Sequence, residues 1–152
     1  MENEQRIVSA SGVVAAPAAE VFEQIADPAL QPAWDGNDNL DHAEPGQRVT
    51  AVGDVFVMTN SGGNVRDNHV VEFEEGRRIA WLPSPQDADP PGHLWRWELE
   101  PVDETTTRVT HTYDWTNLRD ETRLDRARRT TADRLQASVD RLAARVEELN
   151  AG

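Results

Sequence analysis

Two runs of alternating side chains stand out in the second half of the chain. From His93 to Glu100 one parity carries His93, Trp95, Trp97 and Leu99, and the other Leu94, Arg96, Glu98 and Glu100. Such alternation puts the first set on the covered face of a sheet and the second toward solvent. From Arg108 to Thr116 the same test turns Val109, His111, Tyr113 and Trp115 inward and Arg108, Thr110, Thr112 and Asp114 outward. Less regular alternation assigns Phe56, Met58 and Asn60 to the covered face of one strand. It assigns Asp67, His69, Val71 and Phe73 to that of the next, and Ile79, Trp81 and Pro83 to a third.

Around these runs the remaining elements follow. A strand is expected over Arg6 to Val14, stopped by Ala15-Ala16-Pro17. Pro17 suits a first helical turn, and Val21, Phe22 and Ile25 form one apolar stripe before Asp27-Pro28 ends it. Pro28 to Trp34 reads as a further short helical piece, broken by Pro32 and terminated by Asp35-Gly36-Asn37-Asp38. Turn signals at Glu44-Pro45-Gly46, Ser61-Gly62-Gly63-Asn64, Glu74-Glu75-Gly76, Ser84 to Gly92 and Asp103-Glu104 then delimit six strands. These are Asp38 to His42, Arg48 to Asn60, Val65 to Phe73, Arg77 to Pro83, His93 to Pro101 and Thr106 to Thr116. Their spacing indicates an antiparallel meander.

Asp120 to Leu149 contains neither Gly nor Pro and carries Leu124, Ala127, Thr131, Leu135, Ser138, Leu142, Val146 and Leu149 at three-and-four spacing. It reads as one long helix packed on the sheet. Thr131 and Ser138 interrupt the seam that a coiled-coil dimer would need, although self-association stays open. No repeat or linker divides the chain. The expectation is one α+β domain over residues 1–152, with a seven-stranded antiparallel sheet, two short helices between strands 1 and 2, and a long C-terminal helix.

Composition removes whole classes of chemistry. With no cysteine among 152 residues, disulfides, thiolate metal sites and thiol nucleophiles are excluded. All 15 basic residues are Arg, so Schiff-base chemistry on Lys is excluded too. The net charge of −13 repels phosphate backbones and anionic lipid surfaces, so nucleic acid is not an expected partner. The charge is uneven: Arg119 to Glu148 holds eight Arg against seven acids, leaving seven Arg against 21 acids elsewhere. An acidic start, MENEQR, and the lack of any run near the roughly 18 apolar residues of a membrane span point to the cytoplasm.

The covered face collects four of the five Trp, the one Tyr, several His, and the polar Asn60 and Asp67. Aromatic side chains fill cores as well as line pockets, but this mixture of indole, imidazole, phenol and amide resembles a pocket lining. The order of elements and several motifs resemble the START-like, pollen-allergen-like helix-grip superfamily (SRPBCC), in its bacterial polyketide cyclase/dehydrase and lipid-transport branch. The resemblance rests on Val13 to Phe22, Ala26-Asp27-Pro28 with Trp34-Asp35-Gly36, Val52 to Phe56, Val70 to Trp81 and Thr107 to Trp115. It implies a curved sheet wrapped around the long helix. It also implies a cavity between them, entered near Ser61 to Asn64, Ser84 to Gly92 and Thr116 to Asp120, that binds hydrophobic compounds. Some relatives cyclise or aromatise polyketides.

The expected lining is Trp34, Phe56, Met58, Asn60, His69, Trp81, His93, Trp95, Trp97, His111, Tyr113, Trp115, Leu124 and Arg128. Trp34-Asp35-Gly36 reads either as an indole and a carboxylate at the cavity or simply as a turn. His111 and Tyr113 are neighbours on one face and form the candidate acid/base pair, with His69 a further candidate, unless each is a structural, hydrogen-bonded group. Arg128 is placed to reach a ligand carboxylate or to pair with Glu121 or Asp125. No two His stand one helical turn apart, and no phosphate-binding loop or nucleophile elbow occurs, so neither metal nor cofactor is expected. Three functions stay open: a binding or transport module for a small apolar or aromatic metabolite, a cyclase/aromatase-like enzyme, and an interaction protein without a ligand.

Overall fold

The computed structural model describes residues 5–36 and 40–151. Strands β1 (Ile7–Val14), β2 (Leu40–His42), β3 (Val55–Asn60), β4 (Val65–Glu74), β5 (Arg78–Pro85), β6 (Leu94–Asp103) and β7 (Thr106–Asp114) form one antiparallel sheet. Its order is β1-β7-β6-β5-β4-β3-β2. The first strand thus pairs with the last, Ile7 opposite Asp114 through Val14 opposite Thr107. Helix α1 (Ala18–Ala26) and a 3₁₀ helix (Pro28–Ala33) follow β1, and α2 (Glu121–Arg129) and α3 (Ala132–Ala151) close the chain. This is the α+β helix-grip architecture.

Local chemistry sets the boundaries of the short helices. Pro17 holds the extended conformation that precedes α1, and Val21, Phe22, Ile25 and Ala26 bury one face of it. Asp27 ends α1 and starts the 3₁₀ helix by accepting a hydrogen bond from the Ala29 amide on its side chain, 3.2 Å away. On α3, Leu135, Ser138, Val139, Leu142 and Val146 form the buried stripe. Val139, Leu142 and Val146 meet Val14, Ile79, Trp97, Leu99 and Val109 in the core, and Leu135 joins Tyr113, Trp115, Leu118 and Ala127 in a second cluster.

Three expectations need correction. The C-terminal segment is not one helix: Thr130 is extended (φ −83°, ψ 92°) and caps α2, and its hydroxyl bonds back to the Arg126 carbonyl at 3.0 Å. Thr131 then begins α3, its carbonyl accepting from the Arg134 and Leu135 amides. Adjacent threonines offer the backbone alternatives to the helical ladder, so a break needs neither Gly nor Pro.

The strand expected over Arg48 to Asn60 begins only at Val55. The Asp54 carboxylate instead gathers the Thr50 and Ala51 amides into a turn, with Gly53 at φ +97°. On β4 a bulge at Val71 reverses the parity assumed for most of the strand. Arg66, Asn68 and Val70 therefore face inward where Asp67, His69 and Val71 were expected, and only Phe73 keeps its side. Of the strand expected over Asp38 to His42, Leu40–His42 is a strand, and Asp38 and Asn39 lie outside the described residues.

Candidate functional site

Between the inner face of the sheet and α2 lies a cavity of about 180 Å³. Its floor comes from β3, β5, β6 and β7, which contribute Phe56, Met58, Trp81, Trp95, Trp97, His111 and Tyr113. Trp34, Gln31 and Asp35 close one side. Arg123, Arg126, Ala127 and Thr130 of α2, with Arg134 of α3, close another. Phe56, Trp97 and His111 are almost wholly buried whereas Arg126 and Arg134 are exposed, which places the mouth beside the arginines. Asn60, Arg66, Pro83, His93 and Leu118 also line the cavity, next to the three loops implied as its entrance.

The aromatic wall is fixed by strand register. Trp95 stands opposite Tyr113 and Trp97 opposite His111 across β6 and β7. In consequence the Trp97 and His111 rings stack with centroids 3.7 Å apart, and those of Trp95 and Tyr113 lie 4.4 Å apart. Trp34 meets Trp97 edge-to-face at 5.3 Å, as does Phe56 with Trp81. Trp34 donates its indole N–H to the Gln24 carbonyl at 3.3 Å, and Gln31 donates its amide to Ile25 at 2.8 Å. The Trp34-Asp35-Gly36 segment is pressed onto α3: the Gly36 amide donates to Ser138 Oγ at 2.9 Å. A Cβ on Gly36 would fall 2.3 Å from the Ser138 nitrogen, so only glycine allows this approach.

Burial sets the protonation of the central polar groups. His111 is driven down to about 3 by burial, only partly opposed by its hydrogen bond with the Arg96 carbonyl. Its Nδ1 lies 3.1 Å from that oxygen, so Nδ1–H donates and Nε2 is left as the acceptor. Burial pushes Tyr113 up to about 12, against the opposing influence of Arg126 and Arg123. His93 is driven down to about 4, by burial first and then by Arg123, Arg126 and Arg66. All three groups are therefore neutral near neutral pH. A base near 3 and an acid near 12 both lie far from the range where a proton is exchanged easily at pH 7.

Ten of the residues expected in the lining are there: Trp34, Phe56, Met58, Asn60, Trp81, His93, Trp95, Trp97, His111 and Tyr113. Four are elsewhere. His69 lies on the other face of β4 because of the bulge, its Nε2 2.9 Å from Ser84 Oγ. Trp115 is buried beyond the cavity with Leu118, Ala127 and Leu135, and Leu124 packs against that cluster. Arg128 pairs with Asp125 at 3.2 Å and lies over Trp115. The break before α3 sets this phase, so the face of α2 bearing residues 123, 126, 127 and 130 looks into the cavity. Sequence periodicity carried no sign of it, and Arg66 and Asn68 were hidden by the bulge. Among the described residues no three His, Asp or Glu side chains gather as a metal-ligand set. No helix among them is long and apolar enough to cross a membrane.

Comparison with known proteins agrees with this architecture. Protein MLL2253 from Mesorhizobium loti superposes with a TM-score of 0.68 at 18% identity, covering 94% of this chain and 98% of that one. A START superfamily protein from Mycobacterium smegmatis gives 0.67 at 16% identity, with the same shares covered. In sequence, the uncharacterized protein Rv0088 of Mycobacterium tuberculosis is 35% identical over 111 residues, 71% of this chain. The chain spans about half the length of the curated relatives it matches, 47% in each case. The family model described as "polyketide cyclase / dehydrase and lipid transport" matches residues 5–147, and the chain belongs to that family.

Proposed function

We propose that the protein binds a small, mainly apolar or aromatic molecule in the cavity beneath α2. The observation that carries this is the wall itself: five large aromatic side chains, Trp34, Phe56, Trp81, Trp95 and Trp97, border the space, with Gln31, Asn68, His111 and Tyr113 as buried polar groups among them and the arginines at its mouth. Apolar walls with a small number of oriented polar groups are the usual form of a small-molecule site. The size favours a compact ligand. About 180 Å³ exceeds the roughly 150 Å³ that admits benzene but falls short of the roughly 300 Å³ at which drug-sized pockets begin. Neutral His111 and Tyr113 suit this role, since each offers a hydrogen bond without the cost of burying a charge.

Titration with neutral compounds from toluene to indane tests the proposal. Saturable change in tryptophan emission, with a negative heat-capacity change, is the expected result. Trp95→Leu should weaken binding by about 1–3 kcal/mol through loss of buried aromatic contact, whereas Glu98→Ala, on the outer face, should leave it unaltered. Emission that stays constant across the whole panel and with charged compounds carrying the same kinds of ring would reject the proposal.

A further inference from the structure

The charge at the mouth of the cavity is opposite in sign to that of the protein. The chain carries a net charge of −13, yet Arg66, Arg123, Arg126 and Arg134 all line this one space, with Asp35 the one carboxylate in the lining among the described residues. Elsewhere several guanidinium groups meet acids. Arg48 pairs with Glu23 and Glu75, each at 3.0 Å, and Arg96 with Glu72. Arg78 lies within 4.0 Å of Glu72 and Glu98, and Arg128 pairs with Asp125. At the cavity, Arg123 alone of the four has an acid partner among the described residues, the exposed Asp120 at 3.2 Å. Among the described residues Arg66 bonds only the carbonyl of its neighbour Val65.

These charges repel one another. The positive charge of Arg66 is disfavoured by burial and further by Arg123 and Arg126. The same three arginines act on His93, whose Nδ1 is buried in the lining with no hydrogen-bond partner among the described residues. A buried nitrogen of this kind calls for a partner from outside the fold. Like charges held together at the rim of an apolar cavity are unfavourable in the empty protein. An entering anion would relieve them and meet planar donors suited to a carboxylate or phosphate.

Resting on the ligand-binding reading above, we infer that the ligand is an aromatic or apolar anion: its ring system lies against the indoles and a carboxylate or phosphate oxygen group is held by Arg66, Arg126 and Arg134. The three arginines come from β4, α2 and α3. The anion therefore also ties the two C-terminal helices to the sheet.

A matched set of probes on the intact chain tests this, with affinities measured by calorimetry. 2-Naphthoate, 2-naphthyl phosphate and neutral 2-naphthamide share one ring system and differ in charge. At low salt at least one anion should bind about tenfold or more tightly than the amide, the worth of one charge-assisted hydrogen bond. Whichever anion binds more tightly identifies the oxygen group. The anion-to-amide ratio should fall toward one in high salt and in the Arg126→Gln, Arg134→Gln double variant. Both positions are exposed and helical, where Gln is readily accommodated. Arg66→Gln should lower the ratio independently.

Equal affinity for amide and anions would overturn this inference and leave the apolar cavity standing. A large ratio that survives the Arg substitutions would overturn it too, by placing the anion elsewhere. If neither these probes nor the neutral panel binds, the cavity reading itself falls, and this inference with it.

Discussion

Trp97 and His111 face each other across β6 and β7 with ring centroids 3.7 Å apart, and that burial has a measurable consequence. His111 near 3 and His93 near 4 both lie below the 6.5 of a free imidazole. Such groups bind more protons in the unfolded chain than in the folded one, so stability rises with pH across the interval. The contribution is complete above about pH 6.5 and is withdrawn as pH falls toward 4 and then 3. A tenfold change in proton affinity is about 1.4 kcal/mol, so acidification from pH 6.5 to about 5 should cost on the order of 2 kcal/mol per imidazole. The lowered carboxylates, Glu72 among them, begin to act only below their ordinary values near 4.5, which keeps this window largely free of them. Denaturant titrations across it should show falling stability, with a shallower slope in His111→Gln; a flat profile would contradict the buried neutral state. The inward placement of His111, Tyr113 and the indoles of β6 was legible in the sequence because β6 alternates without interruption from Leu94 to Pro101 against β7. His69 was misplaced because one extra residue, Val71, inverts the face of everything before it, and the Val70-Val71 pair was the only hint.

At the scale of elements, the two C-terminal helices differ sharply in how they are held. Helix α3 buries Leu135 and Leu142 completely, whereas α2 buries Ala127 alone. Replacing Leu135 or Leu142 by Ala should therefore cost about 2–5 kcal/mol in denaturant unfolding, and a loss below about 0.5 kcal/mol at both would mean that the stripe is not load-carrying. Gly36→Ala should cost about 1–3 kcal/mol, since the new methyl must displace the α3 backbone at Ala137 and Ser138. Helix α2 should open more readily than α3, and its amides should exchange measurably faster with solvent. Indistinguishable protection of the two helices would argue that they move as one. The amphipathic stripe of α3 was plain from spacing. The break at Thr130-Thr131 was not, because these two side chains compete with the helix through local hydrogen bonds, whereas Gly and Pro are the breakers that composition reveals. That one missed break also hid the arginine wall, since it fixes which face of α2 meets the cavity.

For the whole molecule, the order of the strands was readable from turn signals, and the pairing of β1 with β7 closes that order into the observed sheet. Charge was readable only as a total, because a sum cannot show that four guanidiniums line one cavity of an acidic chain. The two facts make salt act with opposite signs. Added salt screens the self-repulsion of a chain with net charge −13, which should stabilise the fold. The same salt screens the attraction between the arginine rim and an entering anion, which should weaken binding. The exposed ion pairs that salt also weakens are worth little each, so they should not reverse the first effect. We expect Tm to rise from low to physiological salt by about 2–4 °C, the shift that about 1 kcal/mol produces in a chain of this size. Over the same range 2-naphthoate affinity should fall and 2-naphthamide affinity should hold. A Tm that drops with salt would show that local ion pairs, not net charge, govern the stability of this fold.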